Sequence, residues 1–477
     1  MFTDSLRNRL PLLALLLLLL PVSCLKDEEI ISPGAGEENA STDWKAATRY
    51  VFDPTVIPEI HISVSLEEWN RLLAAYDADA GTVEYIHCDA RYVKGNETTS
   101  ITDAGLRLKG NTSRRRPEGS AGEMHGGDNA DWHHFHMGLN FRLFVEDKAH
   151  TVHGIRQVYL KWFKDDPAYC RELYCYDLFR RFGVWTAVND VYARVWIRVA
   201  GDTSETYLGV YEMLEQLDRN YLKVREEQFG SIDGNLWKCR WNTRLNSTDD
   251  GLFGIDDNDS SHPPYELKTN TRKDDLRQAA FNQIKDFILK VRGKTGESFR
   301  TWISTVTDVD LLLKTYAVSV AVGMWDDYWN NCNNYYLYFD SSDKYDYHFW
   351  FIPYDYDNTL GTSLQCGSLE DSGRQDLLHW GNDDNPLIAK ILSYPEWREA
   401  YVGYLKELVA GEFSYNASTA RIRSWQAEIA SYVRNDTGED MIIEDRPAPW
   451  GNHGEYRLLQ DGSDNFFQVK AGVVNVL

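Results

Sequence analysis

Two aspartates end an aromatic run in "HFWFIPYDYDNTLG": Asp355 and Asp357, separated only by Tyr356. Twenty-nine residues before Asp355, Asp326 and Asp327 open the stretch "WDDYWNNCNN", where carboxylates precede a cluster of asparagines. Placing an ionised carboxylate at the end of a buried strand is costly unless a cation or several donors compensate. Carboxylate and amide oxygens are hard ligands of the kind that hold magnesium. Two other chemistries fit the same residues. A carboxylate pair can act on a glycosidic bond, and Asp-Tyr-Asp taken alone reads equally as a solvated turn.

The elements around these residues narrow the choice. An apolar helical pattern, "DVDLLLKTYAVSVAVGMW", ends at Met324–Trp325 and delivers Asp326 into a loop. "NYYLYF" then reads as a strand, "DSSDKYD" as a turn and "YHFWFIPY" as the returning strand. A helix thus presents one carboxylate, and a hairpin brings the second back beside it. Protein-kinase-like phosphotransferases use this order. There, one Asp orients or deprotonates the acceptor hydroxyl, a following Asn binds metal, and the Asp after a hairpin binds metal too. Asn331, five residues after Asp326, and Asn334, next to the strand, both fit the asparagine's place.

"LRLKGNTS", "ELYCYDLFRRFGV", "YLGVYEMLEQLD", "GNLWK", "YELKT", "WDDYWNNCNNYYLY" and "FIPYDYDNTLG" occur in this order. Together they resemble the CotH kinase family, named for a spore-coat protein, over roughly residues 50–430. The resemblance implies an α+β, two-lobed, atypical protein-kinase-like fold. It also implies a secreted or surface-associated phosphotransferase using ATP and a divalent metal such as Mg2+ on protein Ser/Thr hydroxyls. By position, Asp326 takes the catalytic place, while Asn334, Asp355 and Asp357 take the metal places. Asp327 stands where the family has glycine, which leaves Asp326 and Asp327 as competing candidates. A phosphate-binding lysine is expected near "GLNFRLF"; only Arg142 is basic there, so Arg142 or Lys109 is the expected phosphate ligand. Glu215 matches a family glutamate beyond a hairpin and falls on the nucleotide side. Lys238 and Lys268 read as solvated strand positions, with a place in the cleft as the alternative.

The chain has 477 residues, 43% hydrophobic and 13% aromatic, enough for a large core. Its first residues, "MFTDSLRNRLPLLALLLLLLPVSC", combine Arg7 and Arg9 with a leucine run too short for a comfortable span, and they read as a lipoprotein signal peptide over 1–23. Cys24 is then the lipidated residue, and "LKDEE" resembles a surface-export signal. The expected address is the outside of the cell, lipid-anchored to the outer membrane. Loss of residues 1–23 leaves 48 basic against 72 acidic residues, a balance of −24. Such a surface repels nucleic acid and anionic membrane and favours a basic or neutral protein partner. Six further cysteines are compatible with disulfides in an exported protein, and without a CxxC pair no zinc cluster is expected.

The expected organisation is a flexible tether over 24–44, a β-rich segment over 45–105, a CotH kinase-like domain over 106–435 and a C-terminal extension over 436–477. Strand-like runs dominate the first half and helices the second, with a cleft where they meet. "GLNFRLFVED" reads as a strand. The stretch 111–136, with His125, His133, His134 and His136, reads as a mobile surface loop, and a His-x-His metal site is the alternative. Two rivals to the phosphotransferase remain: a non-catalytic structural or adhesive surface protein that keeps the fold, and a carboxylate-pair glycan hydrolase.

Overall fold

A computed structural model describes residues 43–147, 149–255, 262–362, 371–381, 385–439, 441–446, 456–462 and 464–477. The expected signal peptide, the lipidation site Cys24, nearly all of the tether and Cys366 lie outside the described residues. Among the described residues no helix is long and apolar enough to cross a membrane.

The N-terminal half is built on strands β1 (Glu59–Val64), β2 (Ile86–Lys94), β3 (Glu97–Leu108), β4 (Met137–Asn140), β5 (Gln157–Trp162), β6 (Asp190–Val199) and β7 (Thr206–Glu215). They close a barrel in the order β1-β2-β3-β4-β5-β7-β6, shut by a parallel pairing of β1 with β6. Strict alternation drives this. In β2, Ile86, Cys88, Ala90 and Tyr92 are buried while His87, Asp89 and Arg91 face out. Helix α1 (Trp44–Val51) precedes β1. Helix α2 (Leu66–Ala78) follows it, capped by Ser65 Oγ accepting from Glu68 N at 3.2 Å. α3 (Arg171–Arg181) crosses from β5 to β6, and α4 (Arg219–Val224) and α5 (Glu226–Phe229) follow β7.

A second sheet has the order β12-β11-β8-β10-β9, from β8 (Asn235–Cys239), β9 (Phe253–Ile255), β10 (Tyr265–Leu267), β11 (Tyr335–Phe339) and β12 (Phe349–Pro353). Around it lie α6 (Asp274–Gly293), α7 (Gly296–Val306), α8 (Val309–Ala321), α9 (Pro386–Leu392), α10 (Pro395–Ala410), α11 (Tyr415–Ile429) and α12 (Phe466–Val474). The architecture is therefore mixed α+β, sheet-rich first and helical later. Ten of the 13 residues of α8 are buried, so it runs through the core rather than over it. It ends two residues before Gly323, whose φ of +67° favours glycine and where an added Cβ would crowd Ser372 O at 3.1 Å.

Several expectations shift. β3 runs across the 105/106 boundary, and β1–β3 close the same barrel as the strands that follow. In the C-terminal stretch, Phe466 and Phe467 are buried against Phe413. "GLNFRLFVED" is a strand only to Asn140. The chain then turns because Asn140 Oδ1 accepts from Arg142 N at 3.0 Å, an Asx-type bond that competes with the ladder. The histidine-rich stretch is a loop with residues 120–124 exposed, but its histidines do not all face solvent: His134 and His136 are buried, and His125 is clamped between Glu118 (2.8 Å) and Asp202 (2.9 Å). The five described cysteines are buried free thiols.

Candidate active site

The barrel meets the second sheet at β5, and the site begins there. Lys161 lies on β5 with its side chain 7% exposed, and its ammonium contacts Glu172 Oε2 in the first turn of α3. The same ammonium donates to Asp355 Oδ1 at 2.6 Å and lies 3.6 Å from Asp357 Oδ2. One lysine from the barrel thus holds three carboxylates, one from the crossover helix and two from the end of the β11–β12 hairpin. Oxygens of Glu172, Asp355 and Asp357 fall within 4.8 Å of one another.

Charge follows from this placement. Burial alone would pull the Lys161 ammonium down; Asp355, then Glu172 and Asp357, outweigh it and hold it well above the ordinary lysine value. Burial also opposes ionisation of Asp355, but Lys161 and Lys109 overcome it and keep this carboxylate charged, below its usual range. For Asp357 the balance reverses: burial in the cleft and the neighbouring carboxylates raise it despite Lys161. Both side chains still meet solvent, 33% and 39% exposed, as groups at the mouth of a cleft do. Asp357 Oδ1, shielded from water, has no hydrogen-bond partner. An orphaned carboxylate oxygen beside an ionised carboxylate fits a hard divalent cation.

Asp355 has φ +63°, unusual for a residue with a Cβ, so its conformation must be held. Its backbone N–H donates to Tyr176 Oη at 2.8 Å, and Tyr356 N–H donates to Glu172 Oε1 at 3.2 Å. Both acceptors stand on α3.

Asp326 arrives in the loop between α8 and β11. Its carboxylate accepts from the amides of Asn331 (2.5 Å), Asn333 (3.1 Å) and Asn334 (2.9 Å). Burial outweighs these bonds and pushes the carboxyl up to about 6, with Asp355 near enough to contribute. A carboxyl titrating there is suited to take a proton at neutral pH. Asp327 turns away: its carboxylate accepts from Asn330 N at 2.7 Å and closes the loop, and burial raises it to about 7. The loop is pinned by Asn385, which donates to Tyr328 O and Trp329 O at 2.7 Å each, and by Trp380, which donates to Met324 O at 3.0 Å.

Lys109, at the end of β3, faces the same cleft, its ammonium 4.3 Å from the Tyr159 ring and 5.8 Å from that of Tyr354. Burial pulls it down to about 8, opposed by Asp355. Arg142 is not brought here: its guanidinium donates to Glu146 O at 2.9 Å in its own loop. Glu215 is not brought here either; it holds Arg225 at 2.9 Å and accepts from Asn189 N at 2.9 Å, a buried brace at the end of β7.

Lys161 and Glu172 escaped the reading of the sequence. A signal was present: a lone lysine inside the apolar run "VYLKW", then a glutamate near the start of a largely apolar helix. That lysine lies on the strand that follows "GLNFRLF" in sequence, and β4 and β5 pair directly in the barrel.

The description "CotH kinase protein" matches residues 124–461, from the histidine-rich stretch to just before α12. No curated protein matches the chain. The matched span is most of the molecule and contains Lys161, Glu172, Asp326, Asn334, Asp355 and Asp357, and the chain belongs to the CotH kinase family.

Proposed function

We propose that the protein is a metal-dependent phosphotransferase that moves the ATP γ-phosphoryl group to Ser/Thr hydroxyls of proteins, on an atypical kinase-like fold. One observation carries this reading: Lys161 on a barrel strand joins Glu172 of the next helix to Asp355 at the end of a hairpin. In protein kinases a strand lysine paired to a helix glutamate contacts nucleotide phosphates, and an Asp of this placement binds Mg2+. Asp355, Asp357 and an amide oxygen of Asn334 or Asn331 are the groups that would hold the ion. Bound there, Mg2+ would neutralise charge on the phosphate oxygens.

Asp326 orients the acceptor hydroxyl and takes its proton. The acceptor oxygen bonds to the γ-phosphorus as the bond from that phosphorus to the bridging oxygen breaks, and ADP leaves. A lysine at the centre of the carboxylates has no counterpart in a glycosidase pair, which argues against the hydrolase. The sequence reading left the phosphate lysine open between Lys109 and Arg142, which favoured a non-catalytic module; Lys161 removes that support. Net charge favours a basic acceptor. Export and lipid anchoring through Cys24 complete the proposal and put the acceptor outside the cytoplasm.

The test is Mg2+–ATP binding by thermal shift and calorimetry, with γ-labelled ATP transfer to a basic Ser/Thr-rich polypeptide. Asp355→Asn should fold, lose most metal-dependent nucleotide stabilisation and transfer no label. Nucleotide binding of Asp355→Asn equal to wild type would overturn the reading.

A further inference from the structure

Among the described residues, neither Lys238 nor Lys109 makes a direct ion pair, although Lys109 feels the charge of Asp355. Lys238 stands on β8, where register places it beside Tyr336 of β11 on one side and Glu266 of β10 on the other. Glu266 is fully buried and already occupied, by Arg240 Nε at 2.8 Å and Lys268 Nζ at 2.5 Å. The carboxylate that the ladder sets beside Lys238 is therefore satisfied by other cations. Among the described residues Lys238 makes no ion pair or hydrogen bond through its ammonium, which lies 5.6 Å from the centre of the Tyr354 ring. Lys109 approaches the same ring from the barrel at 5.8 Å. Burial, then Arg240, depress Lys238 well below the ordinary lysine value, with Glu266 opposing and Lys109 and Lys268 adding to the depression. Tyr354 directly precedes Asp355, and Asp355 senses both lysines.

Uncompensated cations converging from two elements are costly unless an anion fills the space between them. The barrel lysine that meets Asp355 directly, Lys161, is consumed by carboxylates. We infer that Lys238, from the second sheet, and Lys109, from the barrel, clamp the terminal phosphoryl group of the bound nucleotide, the group that is transferred as ADP leaves. The inference rests on the phosphotransferase reading and adds a division of labour. Lys161 keeps the metal-binding carboxylate in place, whereas the two free lysines discriminate a nucleoside triphosphate from its diphosphate. Lys238 sits one strand from the Asp326 loop, since β8 pairs with β11, which starts at Tyr335 directly after Asn334. It is thereby placed on the side where the acceptor approaches, suited to follow the phosphoryl group as it moves.

The experiment compares Mg2+–ATP and Mg2+–ADP binding to wild type, Lys238→Met, Lys238→Arg and Lys109→Met by calorimetry. Loss of one charge-assisted contact should weaken ATP binding about 10- to 100-fold in each methionine variant and leave ADP binding within about twofold. Lys238→Arg, which keeps the charge, should recover most of the ATP affinity, and this separates lost charge from lost folding. Equal loss for ATP and ADP, or no loss for ATP, overturns the clamp. So does a Lys238→Met protein with normal ATP binding and a raised KM for the acceptor, which would give Lys238 to the acceptor. If wild type binds neither nucleotide, the phosphotransferase reading itself has failed, a result distinct from all of these.

Discussion

Lys161→Met should make the protein bind bare divalent metal more tightly and Mg2+–ATP more weakly. The substitution removes the only cation that touches Glu172, Asp355 and Asp357 together among the described residues. It leaves three carboxylates with oxygens within 4.8 Å of one another. Two like charges about 4 Å apart repel by about 4 kcal/mol at an effective dielectric of about 20. Removing one partner of a buried pair costs about 3–5 kcal/mol. Here part of that is recovered, because Asp355 and Asp357 are a third or more exposed and can take up protons or water. A net loss of about 2–3 kcal/mol is expected. Unfolding entropy of about 2.1 cal/mol/K per residue over about 400 ordered residues makes this a fall in Tm of only about 2–4 °C.

The metal response is the sharper readout. Without the ammonium, a dication meets an unopposed acidic cluster, and Mn2+ or Mg2+ affinity should rise at least about tenfold, or 1.4 kcal/mol, well under the energy of a single such charge pair. Mg2+–ATP affinity should fall at least about tenfold, because Asp355 loses the cation that holds it in place for the metal–nucleotide complex. Calorimetric titration of metal alone and of metal–nucleotide gives both numbers on one sample. A Lys161→Met protein with unchanged metal affinity would refute the reasoning, since no arrangement with Lys161 at the centre of these carboxylates could leave it unmoved.

Two further predictions test residues away from the cluster. Arg142→Ala should leave Mg2+–ATP affinity within about twofold, whereas Glu215→Gln should lower stability by about 2–4 kcal/mol through the buried Arg225 it leaves half-paired, without changing nucleotide affinity of the folded protein; a nucleotide-binding defect in either would return that residue to the site. His125, although burial opposes it, is raised above the ordinary histidine value of about 6.5 by Glu118 and Asp202. Its contribution is thus full below about pH 6.5 and is lost as pH climbs through the higher folded value. The Tm deficit of His125→Gln should be largest near pH 6 and shrink by pH 9; equal deficits at both would contradict the charged clamp.

What was legible in the sequence was local order. The helix, loop, hairpin and Asp-Tyr-Asp lie within about fifty consecutive residues, and their hydrophobic periods announce them. The asparagines around Asp326 were visible for the same reason, though not that three amides serve one carboxylate. Lys161 was not legible, because its significance depends on a partner 194 positions away that only the tertiary fold supplies. Arg142 attracted attention by standing in an apolar run, but the Asx bond from its own backbone to Asn140 turns the chain before that run can continue as a strand. The histidine-rich stretch was legible as a loop, but not the inward placement of its histidines. Its glycines and polar residues have the composition of a loop, yet buried carboxylates at Glu118 and Asp202 draw His125 inward. The barrel's closure was equally hidden, since a β1–β6 pairing between segments more than a hundred residues apart leaves no local pattern.

These contacts also explain why the carboxylates stand at the junction rather than inside either half. Asp355 occupies a left-handed conformation that its side chain disfavours by about 1–2 kcal/mol. Three restraints hold it there: Lys161 on its carboxylate, Tyr176 on its own N–H, and Glu172 on the next N–H. One comes from β5 and two from α3, so Asp355 belongs to the second sheet by sequence but to the barrel by restraint. Glu172 makes the arrangement cooperative, because one of its oxygens fixes Lys161 while the other fixes the hairpin's end. If α3 is displaced, the lysine loses its partner and Asp355 loses its support in the same movement. A strained aspartate with independent supports could be weakened in stages; this one is held or released as a unit, and the two halves of the molecule must be docked for its carboxylate to be in place.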